Sequence, residues 1–162
     1  MAVDMFLKFT PEIKVDSQDD SHKDSIEVLS WSWGANQSGT MHRGTGGGAG
    51  RVSVQDITIA KYHDKATPNL WKLCCNGKHA DKAVLTVRKA GGDSPVEYLK
   101  LTLTEVLISN ISTGGSAGEE TPTETVTLNF GEFKMEYTPQ DEKGAGGAVI
   151  ETGWNIRKNV AV

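Results

Sequence analysis

The 162-residue chain predicts a mainly β fold, a small barrel or a sandwich whose strands turn corners between sheets, with one short helix. Three observations carry this. Most segments are rich in β-branched and aromatic residues with period-two alternation. Three of those runs change parity partway along. Only one segment combines helix start and stop signals.

Taken in order, "MFLKF" opens the chain as a strand, and the acidic "DSQDDSHKDS" after it reads as a solvated loop. "IEVLSWSWG" is the next strand, and its apolar positions move from even (Ile26, Val28) to odd (Leu29, Trp31, Trp33). A glycine tract separates it from "RVSVQDITIAKY". In "ATPNLWKLCCNGK", Thr67 suits an N-cap, Pro68 the first helical position and Asn76-Gly77 the stop, which predicts a helix over about 68–76. Leu70, Leu73 and Cys74 share one face of it, expected to cover the sheet. "AVLTVRKA" and "VEYLKLTLTEVLISNIS" form a long hairpin around "AGGDSP". In the second of these, Leu99, Leu101 and Leu103 give way to Val106 and Ile108. In "TETVTLNFGEFKMEY", Val126, Leu128 and Phe130 give way to Phe133, Met135 and Tyr137 across Gly131. "AVIETGWNIRKNV" closes the chain as a last strand. A parity change moves the apolar set to the other face unless a bulge absorbs one residue, so bulges are expected in these runs.

Charge and composition narrow the function. A net charge of −4 with scattered Lys and Arg argues against nucleic acid, which leaves a basic stripe on its partners. The N-terminus has Asp4 and Lys8 within its apolar stretch and no cleavage site, so no signal peptide is expected. No apolar run approaches a membrane span. The expected location is the cytosol, with any export through a route that accepts folded protein. Adjacent Cys74 and Cys75 are no disulfide framework and read as reduced thiols. The composition shows no internal repeat and no shift along the chain, so one domain over 1–162 is expected.

Four constellations invite chemistry and fail it. The tract 44–50 holds five glycines in seven residues, but a strand rather than a helix follows, and no Gly-Lys-Ser/Thr closes a phosphate loop. "GGSAG" spells a nucleophile elbow around Ser116, yet another strand follows and no histidine lies downstream. Asp16, Asp20, Asp24 and Glu27 fall at calcium-loop spacings, with Ser21 where the sharp turn needs glycine. Cys74, Cys75 and His79 could suggest a soft-metal site, but adjacent helical thiols diverge by about 100°. No cofactor or metal is therefore expected, and the residues alone point to a β-rich assembly or binding protein. A carbohydrate-binding β-sandwich using Trp31, Trp33, Trp71 or Trp154 as stacking platforms is the alternative.

The stretches "MAVDMFLK", "LSWSWGANQSG", "DKATPNLWKLCCNGKHADKAVLTVRKAGG", "VEYLKLTLTEVLISNISTGGSAGEE" and "GWNIRKN" resemble the hemolysin-coregulated (Hcp) proteins, tube subunits of bacterial type VI secretion. The resemblance runs the length of the chain, in order. It implies a small β-barrel of two sheets with one short helix, assembling as a hexameric ring that stacks into a tube. It implies a structural subunit without enzymatic activity, propelled out of the cell by a contractile sheath and able to hold small effectors in its channel. Implied partners are further copies of itself, the spike protein at the tube tip, sheath, baseplate and small effector proteins, with no nucleic acid and no direct membrane insertion. Met41, His42, Arg43, Gly44, Gly46, Gly47, Gly48 and Gly50 would form an inter-subunit loop. Lys89, Gly91, Gly92 and Arg157 would lie at opposite rims for ring stacking, and Ser112, Thr113 and Ser116 would face the channel. The chain stops soon after "NIRKN", whereas enlarged family members carry a fused toxic domain.

Overall fold

A computed structural model describes residues 3–42, 44, 48, 50–89, 95–141, 143 and 145–162. In chain order the elements are β1 (Val3–Thr10), β2 (Ile26–Glu27), β3 (Ser30–Ser32), β4 (Ala35–Asn36), β5 (Ser53–Val54), β6 (Ile57–Tyr62), α1 (Thr67–Asn76), β7 (Ala80–Lys89), β8 (Glu97–Gly114), β9 (Thr123–Tyr137), β10 (Ile150–Asn155) and β11 (Val160–Ala161). The antiparallel main sheet runs β11-β10-β9-β8-β7-β1-β2, and β6 joins β9 to β3 off that path. A separate two-stranded ribbon pairs β4 with β5. The ladder is not closed into a cylinder. Residues 26–32 nearly close it: the Val28 N–H donates to the Met5 carbonyl (2.9 Å), and the next residue, Leu29, donates to Ala60 (2.8 Å).

That handover explains the first parity change. Ile26 and Val28 are buried beside β1, Leu29 is exposed at the crossing, and Trp31 then packs on the core from beside β6. The change in β8 and β9 has a different cause. Glu105 adopts φ 57°, in the left-handed region, and drops out of both ladders together with Gly131 opposite it. Thr104↔Glu132 and Val106↔Phe130 continue on either side, so the two strands flip together and keep register. A true bulge does occur at a site the alternation does not mark. Register shifts between Ile108 and Asn110, and the extra residue, Ser109, donates its hydroxyl to Asp56 Oδ2 (2.8 Å). Ile111 is buried after it, a further change of phase.

The core is one cluster in which Leu7, Phe9, Ile57, Ile59, Leu101, Leu103, Val126 and Leu128 meet Leu70 of α1. Leu73 and Cys74 pack against it and Cys75 points outward, so the predicted helix face is the observed one. The C-cap is Gly77, in the left-handed conformation at φ 65°, with its N–H on the Leu73 carbonyl. Thr67 does not cap. Ala66 holds that position without a side-chain bond, because the Thr67 hydroxyl is drawn into a buried ion pair described below. The acidic segment is a loop with Gln18, Asp20, Ser21 and Lys23 exposed, as expected, and it is also pinned. Arg88 bonds Asp19 and Asp4, Lys8 pairs with Asp24 at 2.6 Å, and His22 stacks on Phe6 at 4.2 Å while bonding Glu97. Arg88 holds the Asp19 carboxyl below the usual carboxylate range, and Lys8 does the same for Asp24, by hydrogen bonding.

Candidate assembly surfaces and a buried ionic cluster

Residues 34–42 and 50–55, on either side of the glycine tract, form a built arm. From its base the Gln55 N–H donates to Gly34 (2.9 Å), and the β4–β5 rungs Ala35↔Val54 and Asn36↔Ser53 follow. The Gly50 N–H then reaches Ser38, and Thr40 Oγ1 and the Gly48 backbone exchange two bonds of 3.0 and 3.2 Å. Met41 at the tip is 81% exposed, His42 and Gly48 are exposed, and Gly44 has φ 68°. Arg43, Gly46 and Gly47 lie outside the described residues. Arg51 anchors the arm to the body, its guanidinium donating to the carbonyls of Ile156 and Arg157 in the β10–β11 turn.

That turn sits at the β8–β9 corner: Arg157 pairs with Glu105 at 2.9 Å and the Ile156 N–H donates to Gly131. Lys89 lies at the far end of the same half of the sheet, its N–H on the Val96 carbonyl beside the start of β8. The eight residues of β8 between those ends span about 27 Å, so Lys89 and Arg157 mark opposite ends. Gly91 and Gly92 lie outside the described residues.

Ser112 and Thr113 lie near the end of β8, and with Ser116 beyond it they line a shallow depression shared with Glu119, Thr123 and Glu124. Under it lies a constellation that motif reading misses. Lys61, fully buried, and Glu124, 2% exposed, are direct partners across β6 and β9 and form an ion pair. The Lys61 ammonium also donates to the Tyr62 carbonyl (2.9 Å) and Thr67 Oγ1 (3.3 Å) and lies 3.0 Å from Asp64 Oδ1. Thr67 donates on to Glu124 Oε1 at 2.7 Å. The signal lay in phase: Lys61 follows Ile57 and Ile59, and Glu124 precedes Val126 and Leu128, so each charge occupies the apolar face of its strand, with opposite sign.

His63 completes the cluster, its Nε2 bonded to Thr113 Oγ1 and 3.5 Å from Glu124 Oε2. Histidine, hydroxyl and carboxylate resemble a nucleophilic triad in composition only. Both contacts use the same ring nitrogen, so His63 cannot take a proton from Thr113 while being oriented by Glu124 through its other nitrogen. Among the described residues, no group of three His, Cys, Asp or Glu is placed to hold a metal ion. Trp33 donates its indole N–H to the Gln55 carbonyl and packs edge-on against Phe133 at 4.8 Å, and Trp31 packs on the core. Only Trp71 of the four tryptophans is exposed, so the paired platform of a carbohydrate-binding sandwich is not formed. No helix among the described residues is long and apolar enough to cross a membrane.

Residues 6–137 match the family described as "Type VI secretion system effector, Hcp". The chain is 56% identical to Protein hcp1 of Pseudomonas aeruginosa over 161 residues, covering 99% of each. Among solved structures it resembles Hcp1 of Salmonella typhimurium (42% identity, TM-score 0.82, all of both chains). It also resembles a structure titled as a type six secretion system protein (30% identity, TM-score 0.92, 99% of this chain and 100% of that one).

Proposed function

This chain belongs to the Hcp family of type VI secretion proteins, and from that premise we propose how its surfaces serve a tube. The protein is a structural subunit of the type VI secretion tube, a family whose members form hexameric rings and are secreted. Its whole length, 1–162, acts as one tube domain without an activity of its own. The shared ring nitrogen of His63 supports that reading for the one triad-like cluster.

The observation that carries the assembly reading is the arm. A ribbon zipped at its base and clamped by Arg51, yet exposed at Met41 and His42, is a device for reaching a neighbour. Its tip, residues 41–50, contacts adjacent subunits in the stack, and Lys89 with Gly91 and Gly92 at one rim meets Arg157 at the other. The depression around Ser112, Thr113 and Ser116 faces the channel and holds small effector proteins. Spike protein, sheath and baseplate bind the assembled tube, and the subunit leaves the cytoplasm folded.

Two measurements test this. The purified protein is expected to run at six times the 17.5 kDa chain mass by native mass spectrometry, with annular particles by electron microscopy. Lys89→Cys combined with Arg157→Cys yields covalent multi-ring species on oxidation, whereas single-ring products alone would remove the rim assignment.

A further inference from the structure

The depression bounded by Ser112, Thr113 and Ser116 has an unsatisfied atom at its floor. Glu124 lines it, with a fully buried side chain whose two carboxylate oxygens are treated differently. Oε1 takes the Lys61 ammonium and the Thr67 hydroxyl (2.7 Å). Oε2 is buried and, among the described residues, accepts no hydrogen bond. A carboxylate oxygen left bare in the interior costs free energy, so it marks a place for a donor.

His63 does not fill that place. Its Nε2 lies 3.5 Å from Oε2 but bonds to Thr113 Oγ1. Thr113 gives its own proton to the Thr123 carbonyl (3.4 Å), so it is the acceptor from the ring. The imidazole thus covers Oε2 without satisfying it, and at 35% exposure it has room to turn aside. Charge is unbalanced in the same sense. The Lys61 ammonium is shared between Glu124 and Asp64, so with His63 neutral the cluster sets one cation against two carboxylates. Glu119 adds a carboxylate at the exposed rim, and none of the described lining residues is Lys or Arg. At ≈ 330 Å³ the depression admits the end of one side chain rather than a folded surface. A guanidinium suits it better than an ammonium. It is more weakly hydrated and carries several N–H groups in one plane, one for Oε2 and others for the surrounding hydroxyls.

We propose that the depression is a receptor for a guanidinium group, an arginine side chain of the small protein held there, which turns His63 aside and caps Glu124 Oε2. The proposal rests on the channel reading above and adds the chemistry of the contact. It is tested by titrating the full-length protein with methylguanidinium while following the Thr113 and Thr125 methyl signals by NMR, with neutral methylurea as the control of similar shape. Saturable shifts are expected from methylguanidinium alone. Glu124→Gln is expected to weaken binding about tenfold or more, through the loss of a hydrogen bond to a charged group. His63→Lys leaves Lys61 on Glu124 and hangs an internal cation over Oε2. It is expected to weaken binding as much, and it decides the matter if Glu124→Gln does not fold. An equal response to methylurea, no saturable response, or undiminished binding in either folded variant would overturn the proposal. The channel reading has its own measurement. Ser116→Cys in the assembled protein is expected to react with a small maleimide and to be shielded from one coupled to a protein wider than the bore. Labelling by both would remove the channel reading, and with it the cargo as source of the arginine, leaving the guanidinium site to stand or fall on the titration.

Discussion

Lys61 holds a buried charge whose removal is costly. Among the described residues, its ammonium is the only Lys or Arg charge in contact with the fully buried Glu124 side chain. Lys61→Met strands that carboxylate, and breaking a buried pair this way costs about 3–5 kcal/mol, read as a lower midpoint in urea unfolding. Lys61→Met with Glu124→Leu restores most of the loss, because no fully buried charge remains and Asp64, partly exposed, keeps the Ala66 N–H. The acidic loop behaves differently because its ion pairs are partly exposed. Asp19 and Asp24 have lowered folded-state values, so their contribution is fully present above the unfolded carboxylate range near 4 and is lost as pH falls through the lowered ones. Amide protection factors across 16–25, taken relative to the intrinsic exchange rate at each pH, are therefore expected to be lower at pH 3 than at pH 6 while the β8–β9 core keeps its protection. Asp19→Asn removes part of that difference.

At the scale of elements, the corner of β8 and β9 decides the architecture. Glu105 and Gly131 leave the ladder together, which lets both strands swing from the β7 side to the β6 side without a slip. The β10–β11 hairpin depends on a close approach: a Cβ at Gly153 would sit 2.8 Å from Val162 Cγ2 and 3.0 Å from the Phe133 carbonyl. Gly153→Ala is expected to destabilise by about 1–3 kcal/mol, seen as a lower thermal midpoint. Alternation and helix signals made the strands, the helix and its buried face legible, along with the three places where phase changes. They did not say how each change is made, because a crossing between sheets, a paired left-handed corner and a bulge shift the apolar phase alike. The Ser109 bulge stayed hidden because Ile108 and Ile111 flank polar residues that suit a loop or a strand end equally. Motif templates missed the ionic cluster, whose members come from three strands and a helix start, although Lys61 and Glu124 each break an apolar phase. Thr67 had the letters of a cap, and a buried charge outcompeted the helix end for its hydroxyl.

At the scale of the molecule, the arm and the C-terminal turn form one unit through Arg51. Arg51→Ala is expected to leave the ring mass unchanged while lowering the yield of stacked rings in the double-cysteine cross-linking assay, because the arm loses its fixed departure angle. Rings stacking undiminished would show that the arm needs no clamp.

The long run of β8 against β9, interrupted at Glu105 and Ser109, has a mechanical side. Rungs extend from Leu99↔Tyr137 through the corner to Gly114↔Thr123, all in one antiparallel pair. A pull along the strand direction loads those hydrogen bonds in shear, many at once, whereas a pull across the hairpin end peels them singly. A subunit thrust along its strands would thus yield at its contacts with other copies before its own fold gives way.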